Sequence, residues 1–256
     1  MMTPEEFSNE FDVLAQSYLR EGGFTLSDSS LFAFNEYEKS LYLTSEQEKL
    51  VIALYSGGGS YGGFELTEQI RRDLETLLSE ASVEPSDSAF TEHIVANSQF
   101  FKLPKELWYI VYEAGKYADD SNNCPSKQEH GYPVEVVPVT YDEFHRIKGD
   151  PFRGPTKRRA LRLDKGTGTL EPGSTETAEP LFVEVVPKYP LGKYYIKFIR
   201  RPDPIILTDL DGVTINDVSD VTGCKLHSSL HRLILEGAVR AALAGRVTPS
   251  QEGDKS

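Results

Sequence analysis

This chain is poor in the residues that carry covalent and metal chemistry. It holds 2 cysteines, 5 histidines, 2 methionines and 1 tryptophan in 256 residues. Two cysteines, Cys124 and Cys224, exclude a disulfide framework. No apolar run approaches the roughly 18 residues that a membrane span needs. The opening MMTPEEFSNEF is acidic and lacks the basic and apolar regions of a signal peptide. A start in a cytoplasm, with no membrane partner, is therefore expected. Cations are also scarce: 27 Lys and Arg face 40 Asp and Glu, for a net charge of −13. That balance excludes a chain whose whole surface binds polyanions. An apolar fraction of 39% with 13 Tyr and 13 Phe suffices for a packed core.

The few cations are gathered in one place. Residues 1–140 hold 24 acids and 9 bases, whereas residues 141–256 hold 16 acids and 18 bases. Within the second part, HRIKGDPFRGPTKRRALRLDK at 145–165 carries eight Lys/Arg against two Asp. Its two prolines and two glycines forbid one uninterrupted helix. A basic element of this kind on an acidic chain reads as a solvated loop, a nucleic-acid contact or a subunit contact. A nucleic-acid contact would set Arg153, Lys157, Arg158, Arg159 and Arg162 on phosphates. The overall acidity argues against it, and Pro151, Gly154 and Pro155 give the segment a defined path. The preferred reading is a docked arm, with Arg146, Arg153, Lys157, Arg158, Arg159 and Arg162 at a subunit interface.

The first third reads as helices. Thr3-Pro4-Glu5-Glu6 is a capping box, and Phe7, Phe11, Leu14 and Tyr18 follow at helical spacing up to Gly22-Gly23. A short helix is expected over Asn35 to Leu43. A second capping box, Thr44-Ser45-Glu46-Gln47, opens another helix through Leu50, Val51, Leu54 and Tyr55. A third is expected over 65–79, with Leu66, Ile70, Leu74, Leu77 and Leu78 as its stripe. Leu107 to Tyr112 favours a strand, with a helical reading left open by Glu113-Ala114-Gly115. Strands are expected over Val134 to Val139 with Pro138 at an edge or strand end, over Leu181 to Val186, and over Tyr194 to Ile199. Thr140 should cap a short helix at 141–148. Residues 165–180 read as a long mobile loop. The last helix spans about 226–244, with small residues Gly237, Ala238, Ala241 and Ala242 for close helix approach. The fold class is α+β: a helical bundle from N-terminal helices and a C-terminal helix, with an inserted, mainly antiparallel β-sheet. The expected divisions are a helical part at 1–100, a β-rich insertion at 101–205, a return segment and helix at 206–246, and a polar tail at 247–256.

Three patterns resemble chemical motifs. SGGGSYGG at 56–63 matches both Gly57-x-Gly59-x-x-Gly62 and Gly58-x-Ser60-x-Gly62. Both motifs need a preceding strand, and the expected helix there makes the stretch a plain connector. Cys224, His227 and His231 have ligand spacing, and Cys124 is the remaining thiol. The apolar stripe of the last helix leaves those histidines on its flank, so no metal is assigned. Asp209 and Asp211 in TDLDGVT echo a phosphatase opening, but too little chain follows, and Asp-Gly is a turn signal. No cofactor and no catalytic residue are assigned.

Three stretches resemble a structural protein of crAss-like gut bacteriophages. They are Asn35 to Thr44, His145 to Leu163, and Cys224 to His231 leading into Ala238 to Ala242. The resemblance covers most of residues 4–245. It leaves 165–180 outside the pattern and finds 56–63 unusually glycine-rich. It implies a virion protein, assembled in the bacterial host cytoplasm, that forms a homo-oligomeric ring in the head–tail connector or tail. It implies a portal and neighbouring tail or ring proteins as partners, and a genome passing through the channel without specific binding. It carries no catalytic residue.

Overall fold

The computed structural model describes residues 2–21, 33–57, 68–86, 92–118, 134–168 and 180–246. The chain is α+β, as expected, and divides into two compact units: residues 1–77 with 201–256, and residues 78–200.

The first unit is helical. Helix α1 (Pro4–Glu21) starts at the expected capping box: the Glu6 amide donates to Thr3 Oγ1 and the Thr3 amide to Glu6 Oε2. Its buried face is Phe7, Phe11, Ala15 and Leu19, so Leu14 and Tyr18 sit at the margin of the stripe. Helix α2 (Glu36–Ser56) is a single helix opened by an Asn35–Glu38 capping box, and it corrects the expected break at Thr44. Thr44 does not cap because its hydroxyl is used elsewhere. An extended stretch, 203–207, runs along α2 and is held by side chains from successive helical turns. The Leu207 amide donates to Ser40 Oγ, the Ile205 amide to Thr44 Oγ1, and Gln47 Nε2 to the Asp203 carbonyl. The match is geometric: four helical residues rise about 6 Å and two extended residues about 6.6 Å. Lys39, its side chain 3% exposed, ties α1 to α2 through Asp12 at 2.8 Å and Ser8 at 3.0 Å.

The expected third helix is also corrected. Among its described residues, helix α3 (Glu68–Asp73) and a 3-10 turn at Glu75–Leu77 give way to strand β1 (Leu78–Val83). Ile70, Leu74 and Leu77 are buried, and beyond them alternation replaces helical spacing. The closing helix, α5 (Ser228–Arg246), buries Leu230, Ile234, Leu235, Ala238, Val239 and Ala242. Close approach at Gly237 is real: a Cβ there would lie 2.5 Å from Glu46 Cγ on α2. Arg246 anchors the end of α5, 3.0 Å from both Glu38 oxygens and 4.1 Å from the Phe34 ring centre.

The second unit is built on a seven-stranded sheet. Its strands are β1, β2 (Gln99–Lys102), β3 (Leu107–Tyr117), β4 (Val134–Pro138), β5 (Arg159–Thr167), β6 (Leu181–Val186) and β7 (Leu191–Arg200), in the order β1-β7-β3-β4-β5-β6-β2. All pairs are antiparallel except β4–β5, which is parallel. The sheet curls until the residues after β1 meet β2: the Ser86 amide donates to the Phe100 carbonyl at 2.8 Å. The inner face packs Phe101, Tyr117, Val136, Val183, Tyr194, Ile196 and Phe198. Pro138 ends β4, an interior strand. Helix α4 (Tyr141–Ile147), capped by Thr140, joins β4 to β5 and covers the outer face, where Phe144 and Ile147 meet Leu161, Leu163 and Val186. This crossover permits the parallel pair.

Candidate assembly surface

The basic segment is a helix end, a fixed loop and a strand in succession. Asp150 shapes the loop between α4 and β5. Its Oδ1 accepts the Phe152 and Arg153 amides, and its carbonyl accepts the Gly154 amide at 2.8 Å. The turn requires glycine at 154, where a Cβ would lie 2.6 Å from the Asp150 carbonyl oxygen and 2.9 Å from that of Ile147. From the far side, Arg159 Nη1 donates to the Phe152 carbonyl at 3.0 Å.

The six arginines and lysines singled out by sequence divide into different environments. Arg146 and Lys157 are exposed and make no ion pair among the described residues. Arg153 is exposed and pairs with Glu143 at 2.7 Å. The Arg158 side chain is exposed, while its carbonyl accepts the Glu135 amide at 2.8 Å. Arg159 is half-buried behind the loop. Arg162 points into the strand unit, with a side chain only 11% exposed. Its Nε lies 2.9 Å from Glu113 Oε2, and its Nη1 meets Asp164. The Tyr194 hydroxyl donates to the same Glu113 oxygen at 2.7 Å. Burial pushes the Glu113 carboxyl above the usual carboxylate range, against the pull of Arg162 and Tyr194. Burial and the Glu113 charge push the Tyr194 phenol far up, so it stays a donor.

Sequence reasoning passed over one residue here. Phe152 is 85% exposed on this fixed loop. The available signal was an aromatic between Pro151 and Arg153 in an otherwise polar turn.

The other candidates have structural roles. His231 accepts the Met2 amide on Nδ1 at 3.2 Å, and its Nε2 donates to the Leu226 carbonyl at 3.0 Å, so both ring nitrogens are engaged. His227 Nδ1 lies 2.8 Å from Ser229 Oγ. Burial raises the Cys224 thiol to about 11. Asp209 Oδ1 accepts the Val221 amide at 3.0 Å, and Asp211-Gly212 forms the expected turn. The element before the glycine-rich stretch is helix α2, with Gly57 as its C-cap. Cys124, Ser60 and most of residues 165–180 lie outside the described residues. Ser98 stands between His93, at 3.1 Å, and the fully buried Glu184. A hydrolytic triad instead places histidine between serine and acid. The Glu184 carboxylate holds the turn before β2 by accepting the Ile94 amide at 2.6 Å.

Burial lowers the His231 pKa below its ordinary value of 6.5, with His227 adding a smaller push in the same direction. The unfolded chain therefore binds the proton more readily than the folded one. The stabilising contribution is complete above about pH 6.5 and is lost as pH falls through the lower folded value. Denaturant titrations between pH 7.5 and 5 should show wild type losing stability across this window. The His231→Gln variant should lack that part of the slope.

A family model described as phage tail ring protein 3/4 matches residues 2–254. Ring protein 3 of Bacteroides phage crAss001 is 37% identical over 250 residues, covering 96% of each chain. Ring protein 4/5 of the same phage is 31% identical over 251 residues, covering 95% of this chain and 93% of that one. With the family matched almost end to end, this chain belongs to the phage tail ring protein 3/4 family, the structural ring proteins of phage tails.

Proposed function

We propose that this protein is a non-enzymatic subunit of a homo-oligomeric ring in the head–tail connector or tail of a phage, stacked on portal, ring or tail neighbours. The genome passes through the ring without specific binding. The observation that carries this reading is the rigid cationic loop at 148–158, on a chain whose first 140 residues hold 24 acids against 9 bases. Rings need two different patches that meet on successive copies. Opposite charges on those patches select the register and speed the encounter. An acidic channel wall would also repel DNA phosphates.

Light scattering and particle images of the full chain test the proposal. The expected result is a closed ring of defined mass that loosens as salt rises. Reversing Arg146 and Lys157 to Glu should raise the concentration needed for assembly about tenfold or more. A chain that stays monomeric at low salt, alone and with its phage partners, would overturn the proposal. A nucleic-acid contact through the same cations would instead give steeply salt-dependent DNA binding by the isolated chain.

A further inference from the structure

We infer that Phe152 is the protruding half of a head-to-tail contact, and that a cleft at the other end of β5 in a second copy of this chain receives it. The inference rests on the ring reading above and assigns the residues of its interface.

The protruding half is fixed before it binds. Asp150 holds the Phe152 amide, Arg159 holds its carbonyl, and Gly154 closes the turn behind it. A large apolar side chain held this way gives up little conformational freedom on docking. An anchored aromatic buries about 150–250 Å².

The receiving half is a cleft of about 320 Å3. Leu103, Leu107, Trp108 and Leu181 give it apolar walls, and Arg162 and Asp164 form its charged side. Leu181 is 46% exposed there although it belongs to a strand.

Placement makes the two halves complementary between copies. Arg159, which touches Phe152, begins β5, and Asp164 at the cleft lies five residues further on. At about 3.3 Å per residue that is about 16 Å along the strand. The knob and the cleft are thus different patches, and a link between them is heterologous, the kind that closes into rings. Charge agrees. Around the knob Arg146, Lys148, Arg153, Lys157 and Arg158 outnumber Asp142, Glu143 and Asp150. Of the cleft's two charged lining residues, Asp164 presents its carboxylate to solvent at 81% exposure, whereas Arg162 is 11% exposed.

Two single variants of the full chain and their mixture test the inference. Phe152→Ala removes the knob and Leu181→Arg fills the cleft. Both positions are exposed, so thermal melts should match wild type. Each variant alone should need about thirtyfold more protein to assemble. Mixed in equal amounts, they should give discrete one-to-one pairs, because one copy keeps an intact knob and the other an intact cleft. Rings of Phe152→Ala at the wild-type concentration would overturn the inference and leave the ring reading standing. A mixture without pairs would do the same, as would a Phe152→Ala effect confined to DNA or to another virion protein. A wild-type chain that never associates would remove the ring reading, and this contact with it.

Discussion

Arg162→Ala should cost the strand unit about 3–5 kcal/mol at neutral pH, the typical loss when one partner of a buried ion pair is removed. The side chains of Arg162 and Glu113 are 11% and 7% exposed, and their charged atoms lie 2.9 Å apart. Without the guanidinium, the Glu113 carboxylate keeps only the Tyr194 hydroxyl as a strong partner. The loss should depend on pH. Burial already raises the Glu113 pKa, and removing Arg162 raises it further. A carboxyl whose folded pKa exceeds its unfolded value is most favourable to stability below the unfolded value, and that contribution is lost as pH rises through the folded one. The penalty of Arg162→Ala should therefore be small in acid and complete at pH 7.5. Urea titrations followed by the fluorescence of Trp108, the chain's single tryptophan, would measure it. A cost below about 1 kcal/mol at pH 7.5 would mean that the pair is effectively solvated. Replacing Arg162 by Met and Glu113 by Leu together, with Tyr194→Phe so that no buried hydroxyl loses its acceptor, should restore most of the stability, since no buried charge is then left alone.

Phe144→Ala should cost about 3–5 kcal/mol, the usual range for truncating a fully buried Phe. Phe144 is 1% exposed and fastens α4 to the outer face of the sheet beside Leu161, Leu163 and Val186. It also sets the position of the loop, because the Lys148 amide donates to the Phe144 carbonyl and the Asp150 amide to that of Ile147. The loss should thus appear twice, as lower stability and as weaker assembly, although Phe144 itself is not on the surface. Ile147→Val, which removes one methyl from the same cluster, should cost only about 0.5–1.5 kcal/mol and leave assembly near wild type. Weakened assembly in Ile147→Val without any stability change would show that the loop is not carried by this packing.

Much of the local structure could be read from the chain alone. The Thr3 and Thr140 caps start helices where expected, and the alternating runs near 134, 181 and 194 are strands. Such signals are short-range, so a window of a few residues contains them. Thr44 misled because a hydroxyl that caps a helix and one that binds a distant backbone look alike in sequence. Its true partner, Ile205, lies 161 residues away.

The strand β5 shows the same division at the candidate surface. Read by itself, Arg159-Ala160-Leu161-Arg162-Leu163 puts the leucines inward and Arg162 in solvent. The sheet, however, is covered on both faces. The leucines meet α4 on one side, and Arg162 faces the inner side with Glu113 and Tyr194.

Composition and pattern by themselves determined the α+β class, the single concentration of cations and the resemblance to phage ring proteins, because these are properties of residue type and order. Only the tertiary structure decided which cations are exposed and which is buried in an ion pair, and that Phe152 is held outward. Those outcomes depend on which side of each strand is covered and on partners distant in the chain.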